Sequence, residues 1–171
     1  MTLDKLTVKS QELFQSAHDL ARRKGNQAID ALHFLMAMLA DDQGIVVSIL
    51  KKIGIRMDKL AADVNEAVEH LVKVSGAGSV YLSDDGRKML DEAFSEASKM
   101  KDQYVSLEHL LLALIAMKGK TAGILKSNEV TRKAVLSVLK DIRGNQSVTD
   151  QNPEEKYQAL FENERNAIFI F

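Results

Sequence analysis

Four histidines, 24 carboxylates and no cysteine bound the chemistry open to this chain of 171 residues. His18, His33, His70 and His109 include no pair at the i, i+4 spacing of a helical metal site, and no thiolate can complete a ligand set. The missing cysteines also remove disulfides and thiol nucleophiles, which points to a reducing compartment. His33 and His109 share a setting: each follows by three residues a side chain suited to cap a helix, Asp30 and Ser106. There a ring nitrogen can hold the helix start while the ring packs inward, a structural role rather than a ligand role. His18 and His70 read as surface positions on helices. The carboxylate pairs Asp41-Asp42, Asp84-Asp85 and Glu154-Glu155 fall at a helix end or at helix starts. Capping and attraction to the helix dipole explain them without general acid–base work. Gly119-Lys120-Thr121 has the tail of a phosphate-binding loop, but Leu114 stands where its first glycine belongs and no strand precedes it.

The elements that carry these residues are helices. Leu6, Leu13, Phe14, Ala17, Leu20 and Ala21 recur at spacings of three and four, with Thr7 as N-cap and Gly25 as the stop. A second helix follows Asp30 through Leu32, Leu35, Met36 and Leu39, and the Asp41-Asp42-Gln43-Gly44 turn breaks it. A short helix over about 45–52 ends at Gly54. A fourth, over about 57–73, buries Leu60, Val64, Val68 and Leu71. Residues 74–80 form a small-residue loop, and then the programme restarts. Ser83 caps a helix with Met89, Leu90, Ala93, Phe94 and Ala97 on its stripe. Ser106 caps the next, with Leu110, Leu111, Leu114 and Ile115. A short helix lies near 122–126, and Thr131 opens the last, with Val135, Leu136, Leu139 and Ile142 before Gly144.

The halves align. At an offset of 76 residues Leu6, Thr7, Ala17, Ala21, Ile29, Asp30 and His33 match Leu82, Ser83, Ala93, Ala97, Val105, Ser106 and His109. After a one-residue deletion Ile49-Leu50-Lys51 matches Ile124-Leu125-Lys126. Caps, stripes and small residues recurring in order mark a duplication. The predicted fold is all-α, an eight-helix globule of two pseudo-twofold-related four-helix repeats, 1–74 and 80–144. Residues 145–153 are polar and turn-rich and read as a linker. Pro153 sits well at the first position of a further helix. The last stretch, 161–171, holds three of the six phenylalanines.

Composition excludes other classes. Hydrophobic content of 46% and charge of 27% describe a folded soluble chain, and one proline with nine glycines argues against an all-β one. With 23 basic and 24 acidic residues there is no basic face for nucleic acid. The start lacks the apolar core of a secretory signal, and the longest apolar run, 110–117, is too short to span a bilayer. The expected setting is cytoplasmic, with no nucleic-acid or membrane partner.

The ordered combination of Leu3-Asp4-Lys5-Leu6-Thr7, Asp30-x-x-His33 and Ser106-Leu107-Glu108-His109-Leu110-Leu111-Leu112-Ala113-Leu114 resembles the Clp amino-terminal domain. The following Val148-Thr149-Asp150-Gln151-Asn152-Pro153-Glu154-Glu155-Lys156-Tyr157-Gln158-Ala159-Leu160 looks like the junction to the first ATPase domain in the ClpB disaggregases. The resemblance covers about residues 1–160 and stops at Phe161. It implies a mobile, non-enzymatic module, monomeric when isolated, that engages exposed apolar segments of unfolded or aggregated polypeptides. The ATP and Mg of the family's hexameric machines, and their work with the Hsp70 system, belong to domains this chain lacks, so no cofactor is expected in it. It also implies that Thr7, Asp102 and Glu108 serve client binding, and that an apolar groove beside the second repeat involves Met89, Leu90 and Phe94. Thr7 is equally an N-cap, and Glu108 lies in a first helical turn. A shallow apolar groove rimmed by charge suits many unfolded segments, because apolar burial is non-directional. The rival readings are docking of a folded adaptor, as in the protease-linked Clp proteins, and an enzyme.

Overall fold

A computed structural model describes residues 3–76 and 78–169, with side chains up to residue 162. The last two residues of the phenylalanine-rich tail, Ile170 and Phe171, lie outside the described residues. Four helices form the first repeat: α1 (Val8–Arg23), α2 (Ala31–Ala40), α3 (Ile45–Ile53) and α4 (Met57–Glu69). Four form the second: α5 (Asp84–Lys99), α6 (Leu107–Ala116), α7 (Lys120–Ser127) and α8 (Arg132–Arg143). The helix α9 (Pro153–Phe169) follows. Both α1 and α5 have 16 residues, and both α2 and α6 have 10, at the offset read from the sequence.

The caps are the predicted ones. Thr7, Ser83 and Thr131 accept from the backbone N–H three residues on, at 3.2, 3.0 and 3.2 Å. Gly25 and Gly54 take the left-handed backbone (φ +75° and +94°) that ends α1 and α3.

Two short parallel pairings show how the repeats are joined. The strand β1 (Ala28–Ile29) runs beside β2 (Tyr81–Leu82), with Ile29 opposite Leu82. Leu6 pairs with Val105 in the same sense. Under the duplication Leu6 corresponds to Leu82 and Val105 to Ile29, so each repeat lends the same segment to the other. The matching hydrogen bonds, Thr7 N–H to Val105 O and Ser83 N–H to Ile29 O, are both 3.0 Å. One continuous core results: Leu6, Phe34, Leu35, Leu50, Met89, Leu110, Leu111 and Leu114 are all fully covered. Phe14 and Phe34 meet edge to face at 4.8 Å.

The polar stretch 145–152 is irregular, but it runs along the domain. Val148 is buried, Gln103 N–H donates to its carbonyl, and Val8 N–H donates to Gln151 O. The helix α9 then packs against α3 and α8 through Tyr157 and Phe161, both buried. The sequence-based reading of a bare linker missed this because Val148 is one apolar residue in a polar run, too few for a periodic signal.

Candidate functional site

The site is best built from the two histidines. His33 Nδ1 accepts the Asp30 N–H and His109 Nδ1 accepts the Ser106 N–H, each at 2.9 Å. Each ring thereby closes a capping box at the start of α2 or α6. With Nδ1 accepting, Nε2 carries the proton. His33 gives it to Asn26 at 2.9 Å, and His109 gives it to Asp102 at 2.7 Å. Burial holds the His33 pKa below its usual value despite Asp30 nearby. Asn26 and Asp102 are themselves duplicates under the offset. A neutral amide in the first repeat has become a carboxylate in the second.

That exchange assembles a charged cluster under the second repeat. Asp102 Oδ1 accepts from Arg143 at 2.6 Å and from the Val148 N–H at 2.7 Å. Burial opposes ionisation of Asp102, but His109, Arg143 and Val148 together hold its pKa below the usual range. Burial also opposes the charge on Arg143, and Asp102 and Glu108 outweigh it. Arg143 lies 3.6 Å from Glu108 and 5.9 Å from the Tyr157 ring centre. Where the second repeat buries Glu108 and Arg143, the first buries Leu32 and Val68.

The helix α9 docks on this cluster by its first turn. Thr7 caps α1 and gives its hydroxyl proton to Glu154 at 2.5 Å. Glu154 also accepts the Leu107 N–H at 3.2 Å, at the dipole-positive start of α6. Burial, with the nearby Glu108 charge, pushes the Glu154 carboxyl up to about 7. Burial, with Glu108 again, raises Tyr157 as well.

Thr7, Asp102 and Glu108 are therefore brought together, but beneath the surface. Thr7 and Glu108 are fully buried, and the Asp102 side chain has no exposed area. In this conformation none of them can touch a client. Ser106, His109 and Asp102 mimic a nucleophile triad, with Ser106 Oγ 3.0 Å from His109 Nδ1. The likeness stops there, because that nitrogen already accepts a backbone N–H and all three side chains are covered. No group of three metal-ligating side chains occurs among the described residues. No single helix among them is long and apolar enough to cross a membrane.

The groove residues also require correction. Met89 and Leu90 face the core and are buried, and only Phe94 is partly exposed. A stripe on an amphipathic helix looks the same from sequence whether it meets the core or a groove. A mostly apolar trough lies in the first repeat. It is a cavity of about 560 Å³ lined by Leu20, Met36, Leu39, Ala40, Ala61 and Val64.

The family model for the Clp repeat N-terminal domain matches residues 5–128. This chain belongs to the Clp N-terminal domain family. The chaperone protein ClpB of Porphyromonas gingivalis is 36% identical over 160 residues, which is 94% of this chain and 18% of that protein. ClpB of Bacillus anthracis is 35% identical over 164 residues, 94% of this chain and 19% of that protein. The chain thus spans less than a fifth of these relatives. Among solved structures, the Hsp104 N-terminal domain of Candida albicans superposes with a TM-score of 0.77 at 20% identity, covering 88% of this chain and 99% of that one. The complex of the ClpV N-domain with VipB peptide gives 0.66 at 17% identity, covering 86% and 92%.

For a Clp N-domain, the duplication and both capping histidines were legible in the sequence. Arg143, Glu154 and Tyr157 were missed as members of the cluster. A signal existed: Glu154, Tyr157 and Phe161 lie at helical spacing, and Asn26 aligned with Asp102 marks the one place where the histidine partner changes charge.

Proposed function

We propose that this Clp N-domain is the polypeptide-binding module of an ATP-driven chaperone of the ClpB kind, engaging exposed apolar segments of unfolded or aggregated proteins. The observation that supports this most is the 36% identity to ClpB across nearly the whole chain. It agrees with the open, largely apolar trough on the first repeat. The motor, with its ATP and Mg, its hexamer and its link to the Hsp70 system, would lie in the part of such a protein beyond this domain. Thr7, Asp102 and Glu108 then serve as positioning residues: they hold α9 and the stretch before it against the domain. Phe94 remains a surface candidate for client contact.

A second reading, docking of a folded adaptor, has one observation in its favour, the fold shared with a ClpV N-domain solved with a peptide. Titration of the labelled domain with an intrinsically unfolded polypeptide such as casein, followed by NMR, separates the two. Localised, saturable shifts with casein support client binding. Silence towards casein at millimolar concentration, with tight binding of a single folded protein, would favour the adaptor reading.

A further inference from the structure

The repeats share a backbone plan but differ at one trough. Under the 76-residue offset Leu20 stands where Glu96 stands, and Arg23 where Lys99 stands. In the second repeat Glu96 is fully buried on α5, bound to Arg132 of α8 at 2.5 Å, with Lys99 at 3.9 Å. An ion pair therefore straps α5 to α8. In the first repeat that carboxylate is gone. Leu20 faces Met36 and Leu39 of α2 and Ala61 and Val64 of α4 across the open trough. At its edge Lys24 is taken by Glu69 at 2.7 Å, while exposed Arg23 pairs with no carboxylate among the described residues.

We propose that the trough of the first repeat binds an apolar polypeptide segment carrying a carboxylate beside its apolar side chains, the carboxylate meeting Arg23. The incoming acid supplies what Glu96 supplies internally in the second repeat: a negative group facing the basic end of the first helix. The trough has the volume of a ligand pocket, and its lining is mostly apolar, with Arg23, Lys24 and Asn65 beside a half-buried methionine that adapts to varied side chains. It opens to solvent, as entry of a polypeptide segment requires. This inference rests on the polypeptide-binding reading above and adds where the segment sits and which sign of charge it prefers.

The test uses two labelled peptides with one apolar core, flanked by glutamates in one and by lysines in the other, titrated against the 171-residue chain by fluorescence anisotropy. The glutamate peptide binds about three- to fivefold tighter at low salt, the range of an exposed ion pair. Arg23→Glu reverses the preference, and Ala40→Trp, an exposed site that fills the trough, abolishes binding of both. Amide shifts confirm that each variant is folded and locate the peptide at Leu20, Leu39 and Ala61. Equal affinity for the two peptides, or shifts confined to the second repeat, overturns this proposal and leaves the client-binding reading standing. No shift with either peptide or with casein overturns both.

Discussion

Glu154 is the residue whose chemistry most directly reports on the fold. Its carboxyl is buried beside Glu108, so it keeps its proton up to about pH 7, whereas the unfolded chain releases it near 4.5. Between those values the folded state binds the extra proton, so this group makes stability fall as pH rises through the window. His33, whose pKa is depressed, acts oppositely: its contribution is lost as pH falls below its unfolded value of 6.5. The two are separated by difference. Glu154→Gln keeps an acceptor for Thr7 and Leu107 and removes the titration. The stability of the native chain relative to this variant should drop by about 2 kcal/mol from pH 5 to 7.5, as a shift of this size implies. Urea midpoints across that range measure it, and parallel curves for the two proteins would refute it. Asp102 offers a second test. Asp102→Asn copies the first repeat's Asn26, but leaves buried Arg143 with Glu108, at 3.6 Å, as its one carboxylate beside the Gln146 carbonyl at 3.2 Å, and should cost about 3 kcal/mol. Adding Glu108→Leu and Arg143→Val, the residue types at 32 and 68 in the first repeat, should recover stability to within about 1 kcal/mol, since apolar replacement of a buried ion cluster is often neutral. Urea denaturation of both proteins checks this, and no recovery in the triple variant would show that the charges themselves stabilise the fold.

At the scale of elements, α9 differs from the eight helices before it. Those are interleaved through one core, which α9 joins by Tyr157 and Phe161, with Glu154 buried in its first turn and Ser48 reaching Gln158 at 3.3 Å. Tyr157→Ala removes the aromatic wedge beside Arg143, a loss of about 3 kcal/mol for a buried ring. The effect should stay local. Hydrogen exchange should show α9 losing protection while α2 and α6 keep theirs, and loss of protection throughout would mean that α9 is part of the global folding unit. The element scale is also where sequence reading succeeded and failed. Thr7, Asp30, Ser83 and Ser106 stated the helix starts because a cap is a local interaction between neighbours in the chain. The spacing of Glu154, Tyr157 and Phe161 marks the docking face of α9 but not what it docks on, because Thr7 and Glu154 meet across nearly the full length of the chain and nothing in either neighbourhood announces the other. Met89 and Leu90 failed for a related reason: periodicity tells which face of a helix is apolar, not whether core or solvent meets it.

At the scale of the whole molecule, the exchange of short strands makes two repeats into one cooperative body. Ile29 of the first repeat pairs with Leu82 of the second, and Val105 of the second with Leu6 of the first, so neither half retains its pairing if the other unfolds. Gly86 sits at this joint, in the first turn of α5. A β-carbon there would stand 3.0 Å from the Ile29 carbonyl oxygen and 2.5 Å from a Leu82 methyl. Elsewhere in a helix, Gly→Ala gains up to about 1 kcal/mol from backbone propensity. Here the Leu82 side chain can turn away but the Ile29 carbonyl is fixed by Ser83 N–H at 3.0 Å, so overpacking of about 1–3 kcal/mol outweighs the gain. Gly86→Ala should therefore destabilise the protein, against the helix rule. Because the joint is shared, thermal unfolding should remain a single transition at a lower Tm, with amides of α2 and α6 losing protection together. A gain in Tm would show that the joint yields. A split into two transitions would show that the repeats fold independently and that their duplication is one of sequence rather than of a single core.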